Sequence, residues 1–318
     1  MTPAPLLAAL ADRVRAFAHT PAGQDPPPAV PHCDCPSATL VQHPDTTVVR
    51  HAAAVAKAHA PDSDPDGLAH RVAVATGLPG VLLPPLAPAP ATLHGRLVTY
   101  WPHGRPVDPG DPDAAPWEAA ATLLARLHRS PLLPGPPPMR GPAKTARAVA
   151  ALRALPRPVA GTAAVLRAWD TLPAWARGEA PMPREGAALC HGDFHLGQLV
   201  RHPVPRGPWL LIDVDDLGAG VPAWDLARPA AWYACGLLPS GEWDRFLAAY
   251  RAARGPAVPP DGDPWPVLEV PARALTVQTA ARALTKAAEA ERRPDEGERR
   301  VIDACARMAA VPLASSRG

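Results

Sequence analysis

Asp193 and Asp213 are the residues through which this chain could do chemistry. Each stands at or just beyond the end of a short apolar run, over 187–190 and 209–212. Runs of that length flanked by turn residues read as buried strands, so each strand would carry a carboxylate out of a sheet edge. Gln198 places an amide between them. Two carboxylates with an amide oxygen nearby suit a metal–phosphate site. Phosphoryl transfer needs a carboxylate to take a hydroxyl proton and oxygen ligands to hold Mg²⁺ on the phosphates.

The surrounding residues form two motifs. Positions 191–198 read H-G-D-F-H-L-G-Q, and positions 212–227 read I-D-V-D-D-L-G-A-G-V-P-A-W-D-L-A. In order, spacing and strand context these resemble the aminoglycoside phosphotransferase and choline kinase-type family, whose catalytic loop and metal segment correspond to the H-R-D and D-F-G segments of protein kinases. The resemblance implies an α+β, bilobal protein-kinase-like fold, with a small antiparallel β-sheet N-terminal lobe and a larger, mainly helical C-terminal lobe. It implies that Asp193 is the catalytic base and that His191 braces the loop backbone. His195 lies two positions after the base, where protein kinases place a phosphate-contacting lysine. Gln198, where the family usually has Asn, and Asp213 would ligate the metal. Asp225 would cap the following helix and tie it back to the catalytic loop. Asp215 and Asp216 either touch substrate or are solvated, and solvation is the favoured reading.

These groups need a frame. Ahead of them, 38–42, 46–50 and 53–58 read as short strands, the first two joined by a turn at His43-Pro44-Asp45. Lys57 lies on the third, where the resembling family carries its phosphate-binding lysine. It is one of three lysines among 32 basic residues. A lysine kept where arginine is the default suggests a need for a compact charge. Protection of a sheet edge is the plainer explanation, and the phosphate role is favoured over it. The hairpin holds no glycine, so a glycine-rich phosphate cradle is absent. The stretch 66–76 reads as a short helix, where the resembling family usually has a glutamate that pairs with the lysine, but His70 and Arg71 occupy the window. Either Asp213 and the phosphates position Lys57, or an acid comes from elsewhere. Strands are expected over 81–86 and 93–101. The family's adenine-binding hinge falls at 98–102, which assigns Tyr100 and Trp101 to the nucleotide. The polar, proline-rich stretch 104–116 puts the lobes at 1–101 and 102–318.

Beyond it the chain reads as helical over 117–130, 146–155, 162–175, 228–235, 241–253, 265–290 and 295–308. His128, in L-A-R-L-H, reads as core. Trp224, Trp232 and Trp243 could stack on an acceptor, but lobe core is favoured. The C-terminal acids alternate with arginines, as in E-A-E-R-R-P-D-E-G-E-R-R. That pattern suits a solvated helix better than a trap for a polycation.

Composition closes off other classes. A net charge of +2 gives no field that would steer the chain to nucleic acid or membrane. No run approaches the ~18 apolar residues of a membrane span, and 1–20 reads as an amphipathic helix rather than a signal peptide. The 46 prolines fall mainly in loops, including a linker over 23–36. Five cysteines, an odd number, include a C-x-C at Cys33 and Cys35. With no partner pair at zinc spacing these read as free thiols in a reducing cytoplasm. The expected activity is ATP-dependent, Mg²⁺-assisted phosphorylation of a small-molecule hydroxyl by a cytoplasmic monomer. GTP is the alternative nucleotide, and aminoglycosides and other antibiotics, sugars and amino alcohols are the acceptor classes. A kinase of peptide Ser/Thr hydroxyls and a nucleotide-binding pseudokinase are the alternatives.

Overall fold

The computed structural model describes residues 4–20, 33–311 and 313. Most of the expected linker over 23–36 lies outside the described residues. The chain forms two compact units: Met1–Ala115 with Gly197–Asp215, and Pro116–Leu196 with Asp216–Gly318.

The first unit opens with α1 (Ala4–Ala18), whose Leu6, Leu10 and Val14 recur at helical spacing and are buried. Strands β1 (Ser37–Gln42), β2 (Thr47–His51) and β3 (Ala54–Ala58) follow as an antiparallel meander. Next comes α2 (Pro65–Gly77), where the Asp64 side chain accepts the Gly67 N–H and a proline fills the first position. β4 (Ala91–Leu93) and β5 (Arg96–Pro102) complete a five-stranded sheet of order β1-β2-β3-β5-β4. The chain continues through β6 (Arg105–Pro106), and β7 (Ala188–Cys190) falls in the second unit. β8 (Leu199–Arg201) and β9 (Trp209–Leu211) then return to the first unit, where β8 pairs with β6 on one side and β9 on the other.

Strand alternation sorts this sheet into two faces. Ala54, Ala56, Ala58, Val98 and Tyr100 form one core with α1, and Phe17 stacks on Tyr100 at 4.1 Å. Val55, Lys57, Thr99 and Trp101 therefore point the other way.

Two strand expectations are corrected. The stretch 81–86 makes only isolated bridges, Leu82 to Pro79 and to Leu211, with the Leu83 N–H on the Leu211 carbonyl at 2.9 Å. Pro84 and Pro85 follow and bring no N–H for a ladder. The strand over 93–101 is split, because His94 (φ 47°) and Gly95 (φ 75°) turn the chain tightly between β4 and β5. The first unit also runs past the expected boundary at 101/102, because β6 pairs with β8.

The second unit is mainly helical: α3 (Trp117–His128), α4 (Gly141–Arg153), α5 (Thr162–Asp170), α6 (Ala223–Ala234), α7 (Ser240–Ala252), α8 (Trp265–Glu289) and α9 (Glu296–Ala309). α8 packs against α4, α5, α6 and α9. β10 (Gly218–Gly220) pairs antiparallel with β7. α4 starts ahead of the expected 146, since Pro142 sits in its first turn, where no N–H is required. That start puts Lys144 on the helix. α5 ends at Asp170 rather than 175, shortly before Pro173. Trp224 and Trp243 are core, as favoured. Among the described residues no helix is long and apolar enough to cross a membrane.

Candidate active site

The face of β3 and β5 turned away from α1 lines a cavity of about 440 Å³ in the first unit. Lys57 enters it from β3. Its Nζ donates to Asp213 Oδ1 at 2.7 Å and lies 3.0 Å from Asp215 Oδ2. Burial pushes the Lys57 ammonium down, but the two carboxylates more than offset this, and its pKa ends above the ordinary lysine value. Asp213 follows β9 in the left-handed region at φ 66°. Aspartate tolerates that conformation better than most residues, and such strain marks functional sites. The Gln198 amide donates to Asp213 Oδ2 at 3.3 Å, and the Ile212 N–H bonds the Gln198 carbonyl at 2.9 Å. An amide and a carboxylate held together on two joined backbone segments offer the hard oxygen ligands that suit Mg²⁺.

Asp215 is not solvated as expected. It takes Lys57 on one oxygen and His59 Nδ1 on the other, at 3.0 Å each. Burial would raise its pKa, but Lys57 and His59 hold it far below the usual carboxylate range. The chain of contacts continues inward. His59 Nε2 lies 2.8 Å from Thr99 Oγ1, which accepts the Trp101 indole N–H at 2.8 Å. Because Thr99 accepts the Trp101 N–H, its own hydroxyl proton can go to His59 Nε2, which leaves His59 Nδ1 as the nitrogen facing Asp215. Trp101 thereby lines the cavity with its ring fixed. Tyr100, assigned to the nucleotide with it, is 2% exposed on the opposite face, and its carbonyl is taken by the Leu86 N–H. Strand parity alone separates these neighbours. The glycine-free turn of the first hairpin is braced by Arg96, whose guanidinium donates to the Pro44 and Asp45 carbonyls.

Asp193 belongs to the second unit. Lys144 Nζ donates to its Oδ2 at 2.6 Å, and Arg228 Nη2 donates to its Oδ1 at 2.7 Å. Burial acts to raise the Asp193 pKa. Lys144, Arg228 and, more weakly, His195 overcome it and hold the carboxyl below its ordinary value. Lys144 also donates to Asp216 Oδ2 at 2.6 Å. Asp216, expected to be solvated, is buried. Gly192 has φ +83°, and a Cβ there would lie 2.3 Å from the Asp216 carbonyl oxygen. Only glycine fits between His191 and Asp193.

The loop is held from beneath by Asp225, which is 1% exposed. Its carboxylate accepts the His191 and Gly192 N–H groups at 2.6 and 2.8 Å, and His128 Nε2 lies 2.9 Å away. The Tyr250 hydroxyl, 2.7 Å from His128 Nδ1, completes the line. Asp225 ties α6 to the loop as expected, but it sits within the first turn and does not cap it. The buried His191 contributes its backbone N–H to that brace. His128 is core, as read, and the same core orients the catalytic loop.

Four site residues escaped the sequence reading: His59, Lys144, Asp215 and Arg228. Lys144 carried a signal. The rarity of lysine that singled out Lys57 applies to it equally. Asp215 and Arg228 lie inside or beside the motif, but nothing in their spacing separates a paired group from a solvated one.

Residues 45–269 match the phosphotransferase enzyme family. The chain belongs to this family. No curated protein matches this phosphotransferase in sequence. Its fold is shared with a choline/ethanolamine kinase family protein from Mesorhizobium loti (15% identity, 87% of each chain, TM-score 0.53). It is shared too with a thermostable mutant of the aminoglycoside phosphotransferase APH(4)-Ia, solved with AMP-PNP and hygromycin B (14% identity, 86% of this chain and 94% of that one, TM-score 0.56). A third structure with this fold is the spectinomycin phosphotransferase APH(9)-Ia, solved with ADP and spectinomycin (12% identity, 86% and 92%, TM-score 0.56). The expected α+β protein-kinase-like fold is therefore the observed one, and the family match makes the chain a phosphotransferase.

Proposed function

We propose that this phosphotransferase moves the γ-phosphoryl group of ATP to a hydroxyl of a small molecule. The observation that carries the nucleotide half is the cavity whose base presents Lys57 with Asp213 at 2.7 Å and Gln198 beside it. Lys57 neutralises the nucleotide phosphates. The apolar residues Val55, Leu83 and Ile212, with Trp101, give the adenine a sandwich. Asp213 and Gln198 fit Mg²⁺ by donor chemistry and by their contact. The ion, when bound, spreads the charge of the transferring phosphoryl group. Asp193 orients the acceptor hydroxyl and accepts its proton. Because Lys144 and Arg228 keep Asp193 ionised, it serves more as a fixed anion that positions the hydroxyl than as a strong base. Catalysis then rests on placement and charge neutralisation.

The absence of a helix acid counted toward a pseudokinase. Asp215 supplies an acid to Lys57, which favours an active enzyme. The solved relatives carrying hygromycin B and spectinomycin, and the choline/ethanolamine kinase family protein, support hydroxyl-bearing antibiotics and amino alcohols as the acceptor classes to try first.

The test is ATP consumption with Mg²⁺ across aminoglycosides, other antibiotics, sugars, amino alcohols and Ser/Thr peptides, beside Asp193→Asn. Turnover stimulated by one small-molecule class and reduced roughly 10²–10⁴-fold in the variant supports the proposal. Tight nucleotide binding without stimulated turnover, or stimulation by peptides alone, refutes it.

A further inference from the structure

Cys33 and Cys35 lie just before β1, His19 just after α1, and His51 at the end of β2. In the first unit the four converge. His19 Nε2 is 3.3 Å from His51 Nε2 and 3.2 Å from Cys33 Sγ, and Cys33 Sγ is 3.1 Å from His51 Nε2. With Cys35 Sγ included, all four ligand atoms lie within 4.8 Å of one another. We propose that His19, Cys33, Cys35 and His51 form a tetrahedral Cys₂His₂ site for a zinc ion.

The dimensions fit. Ordinary Zn–N and Zn–S bonds make a tetrahedron whose edges are about 3.3 to 3.8 Å. The separation of the two imidazole nitrogens falls at the lower end of that range, and the sulfur–nitrogen pairs, at 3.2 and 3.1 Å, lie just below it, so binding needs only a small outward shift of the Cys33 side chain. The outer partner is also present. Ser37 Oγ lies 2.6 Å from His51 Nδ1. Accepting the Nδ1 proton there leaves the Nε2 lone pair facing the cluster, as a zinc-bound histidine requires. Thiolate and imidazole ligands select a borderline-soft ion over Mg²⁺ or Ca²⁺. On binding, the two thiols release their protons to solvent. Two thiolates and two neutral imidazoles then leave the zinc centre without net charge.

Four protein ligands close the coordination sphere, so the site is structural and leaves no position for substrate. It fastens the end of α1 to the sheet that carries Lys57, beside the Phe17–Tyr100 stack. The sequence reading took the C-x-C pair as free thiols because it sought a second cysteine pair, whereas the partners are histidines on other elements. Three of the four ligands precede residue 45, where the family match begins, and His51 lies within it.

The test uses the full chain purified without a polyhistidine tag. Zinc is counted by mass spectrometry after gel filtration, and the Co²⁺-loaded protein is examined for tetrahedral d–d bands and sulfur-to-cobalt charge transfer. About one zinc per chain is expected, lost in Cys33→Ser and Cys35→Ser and kept in Cys235→Ser. Ser37→Ala leaves every ligand in place, so it tests the site without threatening the fold, and its zinc affinity should fall about 10–100-fold. A strong chelator should lower the apparent Tm of the parent and leave that of Cys33→Ser unchanged. A parent with less than roughly a tenth of an equivalent, zinc retained in both cysteine variants, a cobalt spectrum without the sulfur band, or a Cys33–Cys35 disulfide in the purified chain would each overturn the proposal.

Discussion

Asp215→Asn removes one negative charge from the nucleotide cavity and little else, because the amide keeps the shape of the carboxylate. In the free enzyme Lys57 shares two acids, Asp213 at 2.7 Å and Asp215 at 3.0 Å. When Mg·ATP binds, the proposed metal role draws on Asp213, and Asp215 remains as the fixed partner that holds the ammonium in place. The substitution should therefore weaken the nucleotide-bound state more than the free one. A hydrogen bond to a charged group is worth about 1.5–3 kcal/mol. Two such bonds are affected, to Lys57 and to His59. The Asp215 side chain is 27% exposed, so solvent screening holds the expected total to about 1.5–3 kcal/mol. That corresponds to roughly 10–100-fold in kcat/KM for ATP. Steady-state kinetics at saturating acceptor measure it, with Mg·ATP affinity followed by calorimetry. Asp66→Asn, on the exposed first turn of α2, is the control and should change little. The reasoning fails if Asp215→Asn stays within about twofold of the parent in kcat/KM for ATP while Asp213→Asn is inactive.

Other consequences follow from the charges and the backbone. With Asp193 held below its ordinary value by Lys144 and Arg228, the acid limb of kcat/KM should lie below the usual carboxylate range. Lys144→Met should move it up by about one pH unit, and an unmoved limb would show that Lys144 does not tune the loop. Asp193 and Asp215 have folded-state values below their unfolded ones. Their stabilisation is thus complete above pH ~4 and lost as pH falls further. Lys57 and Lys144 are raised, so theirs is complete below pH ~10 and lost as pH climbs through the raised values. A plot of Tm against pH should show a plateau between these limits, and Asp215→Asn should flatten its acid side and, because Asp215 helps to raise Lys57, soften its alkaline side as well. Gly192→Ala must adopt φ +83° with its Cβ 2.3 Å from the Asp216 carbonyl oxygen. The left-handed backbone alone costs about 1–2 kcal/mol, so calorimetry should show Tm lower by several degrees, and turnover should be nearly abolished.

The strands, the helix order and the placement of Lys57 were legible because they rest on local patterns: period-two alternation, helical spacing, turn residues and proline positions. The bend of the H-G-D segment was legible because its motif carries a conformational requirement, as the positive φ of Gly192 shows. What stayed hidden depends on pairing across long separations. Lys57 and Asp215 are far apart in sequence, as are Lys144 and Asp193, and no local pattern reports which acid an ammonium will find. Tyr100 and Trp101 show a different limit. Adjacent residues on a strand face opposite ways, and choosing the face requires knowing that α1 covers the Tyr100 side. The 81–86 stretch was apolar enough for a strand, but Pro84 and Pro85 within it settled the matter.

Two of the chain's three lysines each bridge a pair of carboxylates. Lys57 lies between Asp213 and Asp215, and Lys144 between Asp193 and Asp216. An ammonium carries three N–H groups in divergent directions on a flexible stem, so one nitrogen can donate to two acids approaching from different sides. A guanidinium is a flat fork that favours two parallel bonds to one acid. Arg228 on Asp193 and Arg273 on Glu269 are contacts of that single-acid kind. The bias that makes nearly every cation in this chain an arginine thus stops where one point charge must serve two carboxylates. The segment D-V-D-D supplies three of those four acids, with Val214 buried among them at 2% exposure. In one short stretch it fixes the partners of Lys57 and, through Asp216 and Lys144, the charge beside Asp193, the two residues proposed to hold the nucleotide and to position the acceptor.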